Sequence, residues 1–395
     1  MSTPAVLVVN AGSSSVKLAV VDPETGHRGL TALAERLGTP EARVSASRDG
    51  EPLDVALDGH GHADAISALL AAMTDDERSS LIAVGHRVVH GGTAYSASVV
   101  VDDEVLATLE SLVPLAPLHL PGNLAGIAAA SSALPGLAQV AVFDTAFHRT
   151  MPARAAQYAV PKAWRDDLDV RRYGFHGTSH RYVSDQVRTW WFGGRDDVRV
   201  VTLHLGNGCS AAAVSGGVSL DTTMGFTPLE GLVMGTRSGD IDAGVIPYVA
   251  ERLGVDASEV VRRLNTESGL LGVSGTSNDM RTLLAAAEGG DEDAALAVEI
   301  FCYRAAQHVA ALAVALGRLD AVAFTGGIGE NSAPVRVAIV TYLGVLGLVL
   351  DASANGTAAR TATGVRISAA GQGPLALVVP TDEERVIAQD AAGLA

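Results

Sequence analysis

The sequence predicts an α/β protein of two domains, and three observations support this prediction. The chain has 395 residues, which is more than one ordinary hydrophobic core needs and favours two or three domains. Short β-rich runs alternate with helical patterns along its whole length. One strand–turn–strand pattern occurs twice, so the chain looks internally duplicated and two domains are enough.

Short runs rich in β-branched residues and bounded by turn residues predict strands. They lie at 6–9, 16–21, 82–89, 140–143, 200–205, 211–214, 321–324 and 375–379. Longer stretches with apolar residues three and four positions apart predict helices. These lie at 63–73, 103–112, 179–191, 241–253, 276–287, 291–316 and 383–391.

The repeated pattern is a pair of short strands joined by a turn of small and polar residues. It reads VLVVNAGSSSVKLAV at 6–20 and VTLHLGNGCSAAAV at 201–214. Turns without bulky side chains leave backbone N–H groups able to point at an anion. Either copy alone is equally well explained as an ordinary hairpin, because Asn-Gly and Gly-Ser turns are common. The two copies together favour anion binding.

Composition and charge exclude several classes of protein. No stretch reaches the ~18 uninterrupted apolar residues of a membrane span, and no basic segment precedes the first apolar run, so a signal peptide is not predicted and the cytoplasm is the expected location. The net charge of −16 would repel nucleic acid and acidic membranes. The chain has only two cysteines, Cys209 and Cys302, which lie far apart in the sequence and form no CxxC motif. This argues against a zinc ribbon or a disulfide framework, and each is expected to be a small buried residue.

Three familiar signatures fail when they are tested. A Walker A loop needs a glycine before its lysine, and neither lysine of the chain has one. The run from Gly206 to Ala211 has the spacing of a dinucleotide fingerprint, but a β-type run follows it where that motif requires a helix. His176 and His180 have the spacing of metal ligands without a third ligand nearby, so zinc is not expected.

Four polar side chains at strand ends or beside glycines are candidate catalytic residues. Asp144 follows an apolar strand, where it would serve as a general base, a Mg²⁺ ligand or simply a cap for the next turn. Arg87 and Arg237 stand beside small residues and suit a fork onto carboxylate or phosphate oxygens, with a surface arginine as the alternative for Arg87. His176 is flanked by glycines and offers either an imidazole donor for transferring oxygens or a structural histidine.

Two further segments fit nucleotide binding or a purely structural role. In FTGGIGEN at 324–331 the glycines would let a flat base or ribose lie against the backbone, and an ordinary Gly-rich turn is the alternative. In PTDEE at 380–384 the carboxylates begin the last predicted helix, where acids are favourable without any function.

Taken in order, eight segments resemble the acetate kinase family from end to end: NAGSSSVK, GHRVVHGG, VAVFDTAFH, RRYGFHGTSH, HLGNG, MGTRSGDID, FTGGIGEN and PTDEE. That family has the actin and sugar-kinase fold, in which two ribonuclease-H-like domains close on ATP, and its members are homodimers. The resemblance implies an N-terminal domain of residues 1–146 plus 381–395, a C-terminal nucleotide-binding domain of 147–380, and a nucleotide cleft between them.

The resemblance also implies roles for individual residues in catalysis and metal binding. Asp144 would orient the carboxylate or the metal, Arg87 and Arg237 would hold the carboxylate and the transferring phosphoryl group, and His176 would support the transition state. The ligands of Mg²⁺ or Mn²⁺ would be Asn10 and Glu383.

Binding residues follow from the same resemblance. The residues beside the phosphates would be Ser13, Ser15 and Lys17, and those around the substrate methyl group Val89, Leu118 and Pro228. The nucleotide-binding residues would be His204, Leu205, Gly206, Asn207, Gly208, Asp279, Met280, Arg281, Gly327, Ile328, Gly329, Glu330 and Asn331. Leu120 stands where relatives typically have Asn, and 241–243 lacks a frequent Pro, which affects the expected substrate preference and not the reaction.

The implied reaction is reversible in-line transfer of the ATP γ-phosphoryl group to acetate, giving acetyl phosphate and ADP. The nearest alternative is a kinase of propionate or another short-chain carboxylate. A second alternative is an ATP-gated binding module that passes phosphate to water, but a water nucleophile needs no fork of two arginines. A sugar kinase is disfavoured because no sugar-binding cluster of acids and amides stands out.

Overall fold

The computed structural model describes residues 3–358, 361, 363–371 and 373–395. The chain divides into two compact units, numbered here as the first unit, Met1–Phe147 with Asp382–Ala395, and the second unit, His148–Thr381. Each unit contains one β-sheet and several helices, which confirms the predicted α/β class. Strands and helices are labelled in chain order.

The first unit contains an eight-stranded sheet with the order β5-β4-β3-β2-β1-β6-β8-β7. Its strands are β1 Ala5–Ala11, β2 Ser15–Val21, β3 Arg28–Glu35, β4 Arg43–Arg48, β5 Glu51–Leu53, β6 Leu81–Val88, β7 Val99–Val100 and β8 Ala138–Phe143. Its helices are α1 His62–Ala72, α2 Asp75–Ser80, α3 Asp103–Ser111, α4 Leu120–Ala133 and α16 Glu383–Ala392.

Helices cover both faces of this sheet, and the central strand β1 is accordingly apolar on both sides. Leu7 and Val9 point to the face on which α1 and α4 pack, whereas Val6 and Val8 point to the face of α16. A strand buried on both faces has a nearly continuous apolar sequence. This arrangement explains why β1 was predictable from its sequence alone.

The second unit contains a six-stranded sheet with the order β11-β10-β9-β12-β14-β13. Its strands are β9 Arg199–Leu205, β10 Cys209–Ser215, β11 Val218–Thr222, β12 Ala321–Thr325, β13 Val365–Arg366 and β14 Leu375–Val378. Its helices are α5 Ala153–Ala156, α6 Lys162–Leu168, α7 Gly177–Phe192, α8 Val245–Leu253, α9 Ala257–Thr266, α10 Gly269–Ser274, α11 Met280–Glu288, α12 Glu292–Leu316, α13 Gly326–Asn331, α14 Ala333–Tyr342 and α15 Ala352–Thr357.

The same strand order occurs in both units. In the first sheet, β3, β2 and β1 are antiparallel neighbours, and β6 and β8 continue parallel to β1. In the second sheet, β11, β10 and β9 are antiparallel neighbours, and β12 and β14 continue parallel to β9. The two sequence patterns at 6–20 and 201–214 therefore form equivalent hairpins.

Three sequence predictions differ from the observed helices and strands. The helix predicted at 276–287 begins only at Met280, because Asp279 caps it and Ser274 holds the preceding turn. The helix predicted at 241–253 begins at Val245. Strands such as β3 and β4 were missed, since their partly exposed sequences lack an apolar run.

No helix in the described part of the chain is long and apolar enough to cross a membrane. Cys209 and Cys302 are free and buried, as predicted, and burial raises the pKa of each thiol to about 12.

Candidate active site

The carboxyl ends of β1, β6 and β8 bring three predicted residues to one edge of the first sheet. These strands run parallel to one another, and the carboxyl ends of parallel strands are where α/β proteins bind ligands. Asn10 lies near the end of β1, Arg87 near the end of β6, and Asp144 directly after β8.

Arg87 and Asp144 form a forked ion pair at this edge. Arg87 Nε donates to Asp144 Oδ1 at 3.0 Å, and Arg87 Nη2 donates to Oδ2 at 2.6 Å. Asp144 is 1% exposed, and the negative charge of Asp144 raises the pKa of Arg87 above its usual value. Arg87 Nη1 donates to no other described residue, so this nitrogen can donate to a ligand.

A cavity of about 240 Å³ lies beside this ion pair in the first unit. Five of the predicted residues line it: Asn10, Ser15, Lys17, Arg87 and Val89. The amide of Asn10 makes no hydrogen bond to another described side chain, which leaves its oxygen available. The cavity is therefore small, partly apolar and lined by one guanidinium and one ammonium group, as a small anion requires.

Asn123 of α4 lines this cavity, Gly122 packs against the lining residue Gly12, and neither was predicted from the sequence. The Asn123 side chain donates to the Ala11 carbonyl at 2.7 Å and accepts from the Val89 backbone at 3.0 Å, so it ties the ends of β1 and β6 together. A Cβ at Gly122 would lie 2.5 Å from the Gly12 carbonyl oxygen. The signal available was a polar Asn inside an otherwise apolar helix, because buried amides need partners.

The start of α16 is fixed by an ion-pair cluster that involves Lys17. Lys17 Nζ lies 2.7 Å from Glu384 Oε1, and Arg28 donates to both Glu384 and Asp382. Burial would raise the pKa of Glu384, but the hydrogen bonds from Lys17 and Arg28 outweigh it and hold that pKa below its usual value. Arg28 was missed, because nothing in its local sequence distinguishes it from a surface arginine.

Glu383 lies between these two anchored acids, on the same first turn of α16. Its negative charge acts on Arg87 and contributes to the raised pKa of that residue, so Glu383 lies near the Arg87 edge. Within the described ranges no group of three or more His, Cys, Asp or Glu residues could hold a metal ion. One carboxylate and one amide oxygen nevertheless fit Mg²⁺, which usually takes few protein ligands and completes its shell with water and substrate phosphates.

In the second unit, His176 has an unusual backbone. It precedes α7 with φ of 56°, in the left-handed region that non-glycine residues seldom adopt. Its Nδ1 atom lies 2.8 Å from Ser210 Oγ, and its ring stacks on His204 with 4.5 Å between centroids. Strain of this kind is often found at functional sites.

His176 and Arg237 lie beside the β9–β10 turn. A Cβ at Gly208 would be 3.5 Å from His176 Cε1 and 3.7 Å from Arg237 Nη1. Arg237 Nη1 also donates to the Pro228 carbonyl at 3.1 Å. The structure thus brings the predicted imidazole and guanidinium to one glycine of the predicted nucleotide segment.

Asn207 links the same turn to Gly235 and to Asn278, which precedes the predicted segment 279–281. Its carbonyl accepts from the Gly235 backbone at 2.9 Å, and its Oδ1 accepts from Asn278 at 3.2 Å. Asp279 caps α11 by accepting from the Arg281 and Thr282 backbones at 2.9 and 3.0 Å. Hydrogen bonding to Arg281 also lowers the pKa of Asp279 to about 2.

The predicted Gly-rich turn at 327–331 belongs to the short helix α13. The Glu330 carboxylate is turned inward, where Oε1 accepts from the Gly326 and Thr381 backbones at 3.1 and 3.2 Å. Arg336 is 1% exposed and donates to the Gly329 and Glu330 carbonyls at the end of α13. The helix is therefore held by buried polar contacts that the sequence did not reveal.

A second missed cluster supports the loop that leads to Arg237. Arg172 Nη1 donates to the Thr222 and Thr223 carbonyls at 2.8 Å, and its Nη2 donates to Glu230 at 2.5 Å. The Tyr158 hydroxyl bonds to the same Glu230 carboxylate. Arg172 follows Arg171 in a recognised motif, but only the fold shows which of the two is the loop anchor.

Some predicted residues have side chains that are exposed or buried in the core. Ser13 is exposed, and the Leu118 side chain is 66% exposed and does not line the 240 Å³ cavity. Leu205 and Met280 are buried at 0% and 4% exposure, so their backbones are what a nucleotide would meet.

Comparison with known proteins places this α/β protein among the kinases. The model of the Acetokinase family matches residues 5–389. The acetate kinase of Deinococcus radiodurans is 52% identical over 387 residues, with 98% of this chain and 97% of that protein covered. Acetate kinase 2 of Neisseria meningitidis serogroup A is 50% identical, with 100% and 99% covered.

Solved structures give the same result. The structure of a propionate kinase from Francisella tularensis matches with a TM-score of 0.93 at 41% identity, covering 99% of this chain and 100% of that chain. The acetate kinase of Porphyromonas gingivalis matches with a TM-score of 0.92 at 41% identity, covering 99% of both chains. The chain belongs to the Acetokinase family.

Proposed function

We propose that the protein transfers the γ-phosphoryl group of ATP directly and in line to acetate, giving acetyl phosphate and ADP in a reversible reaction. The observation that carries this proposal is the full-length likeness to relatives named acetate kinase, which extends over 98% of the chain for the Deinococcus protein. The contacts around Arg87 and His176 support it independently.

The state of Arg87 supports a carboxylate as the acceptor. Asp144 holds two of its nitrogens, and the third stays available beside Val89 in the small cavity. A carboxylate is already an anion at neutral pH, so no base has to remove a proton from it. We therefore assign Asp144 to orienting Arg87, and the substrate methyl group to Val89, with Leu118 and Pro228 as further contacts.

The proposed ligands of Mg²⁺ or Mn²⁺ are Asn10 and Glu383, and Ser13, Ser15 and Lys17 are proposed to contact phosphates. A bound divalent ion would neutralise phosphate charge in the loose transition state of phosphoryl transfer. Asn10 is available because its amide is unengaged by described side chains, and Glu383 because Arg28 fixes the acids on either side of it.

We assign ATP binding to 204–208, 279–281 and 327–331, and stabilisation of the transferring group to Arg237 and His176. Gly208 supports this assignment, since its missing side chain leaves space beside both donors. Removing one such donor costs about 3 kcal/mol of transition-state stabilisation, a factor of roughly 10² to 10³ in turnover. Arg237→Ala should lose this much turnover while it still binds ATP, and near-normal turnover would remove Arg237 from the transition state.

The decisive experiment traps acyl phosphate with hydroxylamine in the presence of ATP and Mg²⁺. Acetate, propionate and butyrate are compared as acceptors, and released inorganic phosphate is measured in parallel. We expect acyl hydroxamate with acetate in amounts equal to the ADP formed. ADP and free phosphate without any hydroxamate would instead identify an ATPase of the binding-module type.

A propionate kinase is the second candidate, because a structure of that name matches the chain with a TM-score of 0.93. One methylene in an apolar pocket changes discrimination by only about 1–3 kcal/mol. Both acids are therefore expected to react, and comparing kcat/KM for acetate with kcat/KM for propionate decides which acid is the main acceptor. A higher kcat/KM for propionate would contradict acetate as the main acceptor.

The two units are proposed to be the two ribonuclease-H-like domains, with boundaries close to 1–146 plus 381–395 and 147–380. The repeated strand order supports this, since each unit has three antiparallel strands followed by two parallel ones.

A cytoplasmic location is proposed as well, because the described cysteines are free thiols, which suits a reducing compartment.

A homodimer is proposed through the face of α8. This helix has no buried residue, and its neighbourhood exposes Ile241 by 40%, Tyr248 by 59% and Leu253 by 54%. Exposed apolar patches of this kind mark interaction surfaces. Tyr248→Asp should lower the mass measured by light scattering from two chains to one, whereas Val314→Asp, at an 82% exposed site on α12, should not. A monomeric wild-type protein at micromolar concentration would reject the dimer.

A further inference from the structure

The His176 ring is held by a chain of buried hydrogen bonds. His176 Nδ1 lies 2.8 Å from Ser210 Oγ, and Ser210 Oγ lies 2.7 Å from His180 Nε2. His180 Nδ1 lies 2.7 Å from Thr202 Oγ1. Ser210, His180 and Thr202 are each 0% exposed, so water does not compete for these contacts.

Strand register explains why these side chains meet. Thr202 of β9 lies opposite Ala212 of β10, and His204 lies opposite Ser210. Directly opposed residues share a face of the sheet, and residues two apart share it as well. Thr202 and Ser210 therefore project on one face, where the first turn of α7 presents His180 above β9 and β10.

The number of available protons limits the hydrogen-bond chain to two directions of donation. The Ser210 hydroxyl has one proton, and among the described residues its oxygen contacts only the two imidazole rings. In the first direction, His180 Nε2–H donates to Ser210, and Ser210 donates to His176 Nδ1. In the second direction, His176 Nδ1–H donates to Ser210, and Ser210 donates to His180 Nε2.

Thr202 favours the first direction. There its hydroxyl donates to His180 Nδ1 across 2.7 Å. In the second direction His180 Nδ1–H occupies that contact, so the Thr202 proton has to reach the Ala212 carbonyl across 3.5 Å, where a hydrogen bond is weak. Burial holds the pKa of His180 well below its usual value, so the ring is neutral and carries one proton only.

We propose that Thr202, His180 and Ser210 are positioning residues that fix the tautomer of His176, leaving its Nε2–H as a hydrogen-bond donor. A neutral histidine donates through one nitrogen only, and the side chain that occupies Nδ1 determines which. The consequence for turnover rests on the proposed role of His176 in phosphoryl transfer. The tautomer itself does not depend on that role.

Nitrogen-15 NMR of the full-length protein labelled at histidine tests the direction of the hydrogen-bond chain. At pH 7.5 the ring nitrogens of His176 and His180 should each show a proton on Nε2 and an accepting lone pair on Nδ1. A proton on His176 Nδ1 in the neutral ring would overturn the proposal. Assignment uses the variants His176→Gln and His180→Gln.

Variants then test whether the chain is continuous. Ser210→Ala should move the His176 Nδ1 resonance toward that of an unbonded nitrogen, and Thr202→Val should change His180 first and His176 through it. Ser184→Ala is the matched control, because Ser184 is a buried serine of the same helix as His180 whose hydroxyl donates to the Arg181 carbonyl at 3.0 Å. If Thr202→Val leaves the His176 resonance unchanged, the proposed hydrogen-bond chain from Thr202 to His176 is refuted.

A double-mutant cycle separates positioning from a general effect on folding. Ser210→Ala should lower kcat by about five- to tenfold, the effect of one neutral hydrogen bond, with little change in KM for ATP. In a His176→Ala background the same change should have no further effect. An equal loss of kcat in both backgrounds would overturn the proposal, whereas normal turnover of His176→Ala alone would reject the catalytic role of His176 and leave the spectra to decide the tautomer.

Discussion

At the scale of single residues, Arg87 has two tasks that only a guanidinium can combine. It binds both oxygens of buried Asp144 and keeps a third nitrogen for a ligand. A lysine ammonium carries the same charge but lacks this planar geometry. The fork therefore fixes the direction in which the charge of Arg87 is presented.

Arg87→Lys should raise KM for acetate by about tenfold or more, while KM for ATP changes less, because an ammonium group cannot serve Asp144 and the substrate together. Steady-state kinetics with each substrate varied in turn measure the difference. Arg43→Lys is the control, since Arg43 pairs with Glu35 in the same sheet but is 63% exposed. Equal changes in both KM values would argue against a substrate contact at Arg87.

Individual site residues were predictable to different degrees. Arg87, Asp144, Arg237 and His176 stand at strand ends or beside glycines, so their sequence contexts already indicated ligand contact. Arg28 and Arg172 carry no such local signal, because their partners lie far away in the chain: Glu384 and Glu230. Long-range partners of this kind follow only from the fold.

At the scale of helices and strands, a side chain of β3 anchors the start of α16 together with Lys17 of β2. Arg28 bonds Asp382 and Glu384 on either side of Glu383. Acids at a helix N-terminus are favourable by themselves, yet their direction is set by the guanidinium. The first turn of α16 is thus held to the sheet, and the Glu383 carboxylate with it.

Arg28→Gln should destabilise the protein by about 1–3 kcal/mol, because two partly buried carboxylates lose a charged donor. It should also raise the Mg²⁺ concentration needed for half-maximal turnover, because the turn that carries Glu383 becomes less ordered. Thermal unfolding and a Mg²⁺ titration measure the two effects. Arg318→Gln, which removes ion pairs to Asp197 and Asp320, should leave the Mg²⁺ requirement unchanged; a similar shift in both variants would contradict the assignment.

The helix α12 was predicted well from its sequence, whereas α4 was not predicted. The 25-residue helix α12 was expected at 291–316 and is observed at Glu292–Leu316. By contrast, α4 has alanines and glycines without a clear apolar stripe, and Gly122 and Gly126 in it reflect close contact with the β1–β2 hairpin. Such contacts are properties of packing, and local sequence patterns do not report them.

At the scale of the whole molecule, four buried histidines make stability depend on pH. Burial lowers the pKa of His86, His90 and His148 to about 4 each and holds that of His180 well below its usual value, whereas histidine in an unfolded chain titrates near 6.5. Below that value the unfolded chain binds more protons than the folded one. The free energy of unfolding therefore falls as pH decreases from about 6.5 to about 4.

We expect the melting temperature to be nearly constant from pH 8 to 7 and to drop steadily between pH 6.5 and pH 4.5. His86→Gln should flatten this drop, since one of the titrating groups is gone, even if it lowers stability at pH 7.5. His27→Gln, with a side chain that is 65% exposed, should leave the slope unchanged. Differential scanning calorimetry at matched ionic strength measures both, and a flat profile in the wild type would show that these rings are protonated in the folded state.

The fold class was within reach of sequence reasoning because the duplicated hairpin appears directly in the residue pattern. The strand order of each sheet was not, because pairing of β1 with β6 and of β9 with β12 crosses long intervening segments. The family resemblance supplied the reaction and the residue roles. The structure supplied the anchoring contacts of Arg28, Asn123, Ser210 and Arg172.

The return of the last fourteen residues to the first unit has a consequence for biosynthesis. During translation, α16 emerges from the ribosome only after the entire stretch His148–Thr381 has been made. Until then the face of β1 that holds Val6 and Val8 lacks its covering helix. The nascent N-terminal sheet therefore has an exposed apolar face until synthesis is finished, and transiently exposed apolar surface of this kind favours aggregation.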